Sequence, residues 1–120
     1  MKALVIMSLL VSSGLAHAAE IKGGRYNPST KSIELDVGYG GGCGEHNFSL
    51  EVGGCLESFP VSCTVELVHS SDDPCEAYLM ETVSISLASA GLDDSYYSGA
   101  SLEIKGGNDS QVDITLPRFR

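Results

Sequence analysis

The sequence predicts an all-β protein: a small antiparallel β-sandwich of immunoglobulin-like size, with about seven strands and two disulfides. Three observations indicate this class. Apolar and polar residues alternate with period two, residues typical of turns separate the alternating runs, and four cysteines follow a leader of the secretory type. Such alternation is typical of strands with one buried and one wet face. A small barrel is the alternative architecture.

The strands are predicted in chain order from the alternating runs. The turn Asn27–Thr30 predicts a hairpin in which Ile21–Tyr26 pairs with Ser32–Tyr39. Asn47–Val52 and Val61–His69 form the next two strands, and Glu76–Glu81 fits either one helical turn or the start of the strand that follows. The apolar positions of the later strands are Val83, Ile85 and Leu87, then Leu102 and Ile104, then Val112, Ile114 and Leu116.

The connections between these strands are rich in Gly, Asp, Asn and Pro, which favour turns. Gly40–Gly42 and Gly53–Gly54 interrupt the first half of the chain, and Ser70–Pro74 follows the longest predicted strand. Ala88–Ala100 is predicted to be a long loop, and Gly106–Asp109 is predicted to join the last two strands as a hairpin.

Residues 1–18 have the pattern of a secretory signal peptide. Lys2 precedes a short apolar run, and Ala16-His17-Ala18 matches an A-x-A cleavage site. We therefore expect cleavage near Ala18, a secreted or periplasmic location, and one β-sandwich domain over residues 19–120. No later stretch has the roughly 20 consecutive apolar residues of a spanning helix, so no membrane insertion is expected after the signal is removed.

The predicted mature chain is acidic. Removal of Lys2 leaves six basic and 16 acidic residues, a formal charge of −10. This charge disfavours nucleic acid and anionic membrane surfaces as partners, because both would repel it. The expected partner is a protein or a small ligand.

The four cysteines are predicted to pair in a nested arrangement. Cys55 and Cys63 lie at the two ends of one strand connection, so a local bond between them closes easily. Cys43 and Cys75 flank the other ends of the same two strands, which a hairpin brings together. We therefore expect Cys43–Cys75 outside and Cys55–Cys63 inside, as is typical of small exported domains.

His46 and His69 are the candidate metal ligands. The same hairpin places both near Cys43 and Cys75, and two thiolates with two imidazoles would suit zinc or copper. A variant of this site uses the two histidines with Asp72 or Asp73. A disulfide between the cysteines removes the thiolates, and the histidines then hydrogen-bond to backbone, Glu45 or Asp72. The favoured expectation is therefore no metal and no cofactor.

The sequence offers little support for catalysis. It has no G-x-S-x-G nucleophile elbow, and the Gly40–Gly42 run lacks the lysine and helix of a phosphate-binding loop. The acidic pairs Asp72-Asp73 and Asp93-Asp94 lack the spaced pattern of a calcium loop. We therefore expect no catalytic residues and no enzyme activity.

Two fragments resemble loop motifs of the chagasin-like cysteine-protease inhibitors: Asn27-Pro28-Ser29-Thr30 and Gly38-Tyr39-Gly40-Gly41. The resemblance implies a secreted β-sandwich that inserts loops into a protease cleft. This chain has Lys31 where the first motif continues with glycine, and Leu116–Phe119 reverses the order of the Arg-Pro-aromatic motif.

The function indicated by these observations is a non-catalytic binding or interaction module, because recognition usually uses the loops of a rigid sandwich. Tyr96 and Tyr97 in the long loop are the candidate contact residues, since tyrosine combines apolar area with a hydroxyl group. Metal binding by His46 and His69 and inhibition of a cysteine protease are the alternatives.

Overall fold

The computed structural model describes residues 19–119, and over this range the protein is all-β. Seven strands in this part of the chain form two sheets, as the sequence predicts. The predicted signal peptide, residues 1–18, lies outside the described residues. The strands are β1 Glu20–Asn27, β2 Ser32–Gly41, β3 Asn47–Leu56, β4 Ser62–Ser70, β5 Ala77–Ser86, β6 Ser101–Lys105 and β7 Gln111–Thr115.

The two sheets contain three and four strands. The first has the order β1-β2-β5 and the second the order β3-β4-β6-β7. All pairs are antiparallel except β4 with β6, in which Ser62 lies opposite Ser101. A parallel pair needs a long crossover. Here residues 71–100 supply it: β5 runs back along the other sheet, and residues 87–100 then cross to the second sheet at the end where β4 begins.

The core lies between the sheets and draws on both. In β2, Ile33, Leu35 and Val37 are fully buried and alternate with partly exposed residues. Val65 of β4 and Ile104 of β6 are equally buried and belong to the same apolar cluster. These strands therefore bury one face, which is the physical reason why period-two alternation predicted them.

Two local predictions are settled by backbone and capping contacts. Ala77 begins β5, so the Glu76–Glu81 segment is extended rather than helical. Leu87, predicted to end a strand, instead begins the short helix α1 (Leu87–Ala90), because the Ser86 hydroxyl accepts a hydrogen bond from the Ser89 N–H. The predicted Ala88–Ala100 loop thus contains most of α1 and a 3-10 turn at Ser95–Tyr97.

Both predicted disulfides are present, and no cysteine is free. Cys55 of β3 lies directly opposite Cys63 of β4, with their Cα atoms 4.0 Å apart. Cys43 and Cys75 belong to the two connections 42–46 and 71–76, each of which crosses from one sheet to the other. The outer bond therefore joins both sheet-crossing loops at one end of the sandwich.

Candidate functional site

The carboxylate of Asp73 organises the end of the sandwich that carries the outer disulfide. Its Oδ2 accepts hydrogen bonds from the backbone N–H groups of Gly42, Cys43 and Gly44 at 2.8–2.9 Å, and its Oδ1 accepts one from the Cys75 N–H at 2.9 Å. Only 1% of this side chain is exposed. The bond between Cys43 and Cys75 holds these donors around the carboxylate.

A chain of hydrogen bonds runs from Asp73 through His46 to His69. His46 Nε2 lies 2.8 Å from Asp73 Oδ2, and His46 Nδ1 lies 2.7 Å from His69 Nε2. Burial raises the pKa of Asp73, but the N–H donors and His46 outweigh burial and hold that pKa well below its usual range.

The ionised carboxylate can only accept, so His46 carries a proton on Nε2. When His46 is neutral, its Nδ1 therefore accepts the N–H of His69 Nε2. In this arrangement the hydrogen bonds themselves select the tautomers of both imidazoles.

Aromatic rings enclose the two imidazoles. The His69 ring stacks on Phe48 with centroids 4.7 Å apart and an interplanar angle of 5°, and it stacks on His46 at 4.9 Å. Tyr39 lies against both histidines and donates its hydroxyl to Glu81 at 2.6 Å. Burial, followed by this contact with Glu81, raises the pKa of Tyr39 to about 12.

The structure brings the predicted metal ligands together but pairs them with each other. The facing nitrogens of His46 and His69 share a hydrogen bond, whereas zinc would stand about 2.0–2.1 Å from each nitrogen. Among residues 19–119, the one set of three candidate donors is Cys43, Asp73 and Cys75. Its two sulfurs are bonded to each other and are not thiolates. The carboxylate that contacts His46 is Asp73, and neither Glu45 nor Asp72 supplies it.

A carboxylate that orients an imidazole also occurs in nucleophilic enzymes, where the imidazole faces a hydroxyl or a thiol. Here His46 faces a second imidazole, and only 6% of its side chain is exposed. The arrangement fixes two tautomers and joins both sheet-crossing loops to β4. The arrangement is a buried hydrogen-bond network that connects the two loops.

The opposite end of the sandwich carries an exposed apolar segment, Leu56–Pro60, which we term the tip loop. It joins β3 to β4 inside the ring closed by Cys55 and Cys63. Phe59 is 93% exposed and Leu56 is 70% exposed. The Ser58 hydroxyl donates to the Pro60 carbonyl at 2.8 Å, and the Phe59–Pro60 peptide bond is cis.

The two tyrosines predicted as contact residues lie next to this loop and differ in environment. Tyr96 is 41% exposed, and its hydroxyl donates to Glu57 Oε2 at 3.0 Å. The hydrogen bond to Glu57 and burial raise the pKa of Tyr96. Tyr97 meets Tyr96 edge-on at 4.9 Å and packs against the core. Tyr96 therefore extends the exposed surface beside the tip loop, and Tyr97 packs between Tyr96 and the core.

The exposure of Leu56 and Phe59 was not predicted, because the sequence between Cys55 and Cys63 indicates only a strand connection. A signal was present. Two large apolar side chains lie in a short loop between two cysteines, where the ring is too small to bury them. Alternation cannot reveal such residues, since Phe59 belongs to no strand and Leu56 is the last residue of β3.

The two fragments that resemble chagasin-like inhibitors lie at opposite ends of β2. Asn27–Thr30 forms the turn that precedes this strand, whereas Gly38–Gly41 is its last part and is paired with β5. The structure therefore does not place the two fragments on a common surface.

Comparison of the chain with protein-family models, with curated proteins and with solved structures gave no match. Within residues 19–119, no helix has the length and apolar character needed to cross a membrane. Function is therefore inferred from the residues at the two ends of the sandwich.

Proposed function

We propose that the protein is a non-catalytic binding module that works in an extracellular or periplasmic compartment after its leader is removed near Ala18. Two disulfides with no free cysteine suit an oxidising compartment. The leader pattern in residues 1–18 supports export. In this proposal the histidine end of the sandwich is structural, and the tip loop makes the contact.

The observation that carries the proposal is the exposure of Phe59 and Leu56 in the disulfide-closed tip loop. Their side chains contribute little to the core, so the fold gives no reason for apolar residues at these positions. Burial of a large apolar side chain in a partner contributes about 1.5–3 kcal/mol. A loop already held in shape loses less conformational entropy on binding than a free segment.

The expected partner is a protein or a small ligand with an apolar pocket. The formal charge of −10 on the predicted mature chain disfavours nucleic acid and anionic lipid as partners. Tyr96 extends the contact surface beside Glu57, and its ring offers apolar area together with a hydroxyl group.

The contact surface is tested by photo-crosslinking in the cells that produce the protein. A photoreactive phenylalanine analogue replaces Phe59 in one variant and Tyr78 in a matched control, because Tyr78 is 57% exposed on β5 of the other sheet. We expect a discrete product from the Phe59 position alone. Excess wild-type protein should compete for this product, and excess Phe59→Ser should not. The proposal is wrong if both positions give the same products or neither gives one.

Export is tested separately by the intact mass of the protein recovered outside the cytoplasm. The proposal expects a chain that begins at Ala19 and is lighter by four hydrogens, because two disulfides have formed. A retained leader or four free thiols would contradict this part.

A further inference from the structure

We propose that the tip loop is a substrate-like segment that occupies the active-site cleft of a secreted endopeptidase selective for acidic residues, with Glu57 in its specificity pocket. This inference rests on the proposed function, because it names the partner of the same loop. It differs from the inhibitor class considered from sequence, since neither fragment that resembles chagasin contributes to it. The protein would act as an inhibitor: the enzyme would bind the loop as a substrate, but cleavage would not give two separate products.

The first support is the exposure of the loop residues and their lack of strand pairing. Leu56 opposite Ser62 is the last strand pair before the loop, and residues 57–61 belong to no strand. Glu57, Ser58 and Phe59 are all exposed. An extended peptide is commonly bound through main-chain hydrogen bonds, with side chains entering successive pockets. The loop therefore presents a segment that can be bound in this way without breaking the β3–β4 ladder.

The second support is the covalent ring around the segment. Hydrolysis of the Glu57–Ser58 bond would add one water across the C–N bond, leaving a carboxylate on Glu57 and an amine on Ser58. Both new ends would remain joined through the disulfide between Cys55 and Cys63 and through the β3–β4 pairs. Because the ends cannot diffuse apart, the cleaved form stays in the cleft and resynthesis competes with release.

The third support is the sequence of the ring, which points to Glu57 as the residue bound in the specificity pocket. The alternative bond, Phe59–Pro60, places the imide nitrogen of proline at the leaving position, where no N–H is available. An ionised Glu57 demands a cationic pocket, and Leu56 and Phe59 offer apolar contacts on either side. The acidic character of the chain would favour approach to such an enzyme.

Contacts from the neighbouring segment brace the loop in the free protein. The Tyr96 hydroxyl donates to Glu57 Oε2, and the Ser101 N–H donates to the Val61 carbonyl at 3.0 Å. On binding, the carboxylate exchanges the neutral Tyr96 donor for a cationic one, and a charge-assisted hydrogen bond is the stronger of the two.

The test exchanges the specificity of the loop. Wild-type protein and Glu57→Lys are assayed against a glutamate-specific serine endopeptidase and against trypsin, with a chromogenic peptide substrate for each. We expect the wild type to inhibit the glutamate-specific enzyme and Glu57→Lys to lose this inhibition by about 100-fold while gaining inhibition of trypsin, because a charge buried in the wrong pocket is strongly unfavourable. The matched control is Glu66→Lys, an exposed glutamate of β4, which should behave as wild type.

The outcomes separate the two proposals. If Phe59 yields its specific crosslink but neither protein inhibits either enzyme, the endopeptidase inference is wrong and the binding module stands. If the crosslink is absent as well, both are wrong. Hydrolysis of the loop at the rate of the open peptide Leu-Glu-Ser-Phe would also overturn the inference. Circular dichroism of the variants checks that each one is folded.

Discussion

Removal of the outer disulfide should destabilise the protein more than removal of the inner one. Cys43 and Cys75 are separated by 32 positions, and Cys55 and Cys63 by 8. In the chain-entropy description, a crosslink stabilises by restricting the unfolded chain, and the longer loop gains more. From these separations, the outer bond should contribute about 3.7 kcal/mol and the inner bond about 2.5 kcal/mol to the free energy of unfolding at 25 °C.

The assay is urea unfolding of two double variants, Cys43→Ala with Cys75→Ala and Cys55→Ala with Cys63→Ala. Alanine is chosen because Cys63 is only 2% exposed and a serine there would bury a hydroxyl. With a urea dependence of about 1.5 kcal/mol per molar, the midpoint should fall by about 2.5 M for the outer pair and about 1.7 M for the inner pair.

The reasoning is refuted if the outer variant is as stable as wild type, or if the inner variant loses more free energy of unfolding than the outer one. Either result would mean that strain in the folded protein or structure in the unfolded chain dominates over loop length. The outer variant should also weaken the enclosure of Asp73: the backbone N–H donors of residues 43 and 75 remain in alanine, but the bond that holds their two segments together is lost.

Four further substitutions test the site and the core. Asp73→Asn should lower the free energy of unfolding near neutral pH, because the lowered pKa of Asp73 stabilises the fold above the pKa of the unfolded state. The difference in free energy of unfolding between wild type and variant should shrink as pH falls below about 4. Urea unfolding at several pH values measures this difference. Tyr39→Phe should remove one phenol that titrates near pH 12, seen by absorbance at high pH among the five tyrosines. Leu35→Ala should lower the free energy of unfolding, measured in urea, by about 2–5 kcal/mol, since Leu35 is fully buried. Phe59→Ser should change the stability by no more than about 0.5 kcal/mol, and a larger loss in thermal unfolding would assign Phe59 to the core.

The sequence predicted the strands and the disulfides because both depend on local regularities. Ile33, Leu35 and Val37 alternate because β2 buries one face, and this pattern is visible in one dimension. The nested pairing followed from one hairpin, since Cys55 and Cys63 are close in sequence and the remaining pair must then lie at the other ends of the same strands.

The contacts of the candidate site were less predictable because they join segments distant in sequence. Asp72 and Asp73 are adjacent and chemically alike, yet only Asp73 receives the N–H groups of Gly42, Cys43 and Gly44. The choice depends on how two sheet-crossing loops meet, which no periodicity encodes. Leu87 was misassigned for a similar reason, because the Ser86 cap outweighs the alternation that precedes it.

The two disulfides serve different ends of one hairpin, and this division explains where recognition is expected. The outer bond joins the two sheet-crossing loops, and the side chains of His46 and Asp73 beside it are almost fully buried in hydrogen bonds with each other and with neighbouring groups. At the other end the inner bond closes a ring too small to bury Phe59. In the proposed function, the ring orders the tip loop for contact with a partner, and the paired strands β3 and β4 hold the two ends of that loop.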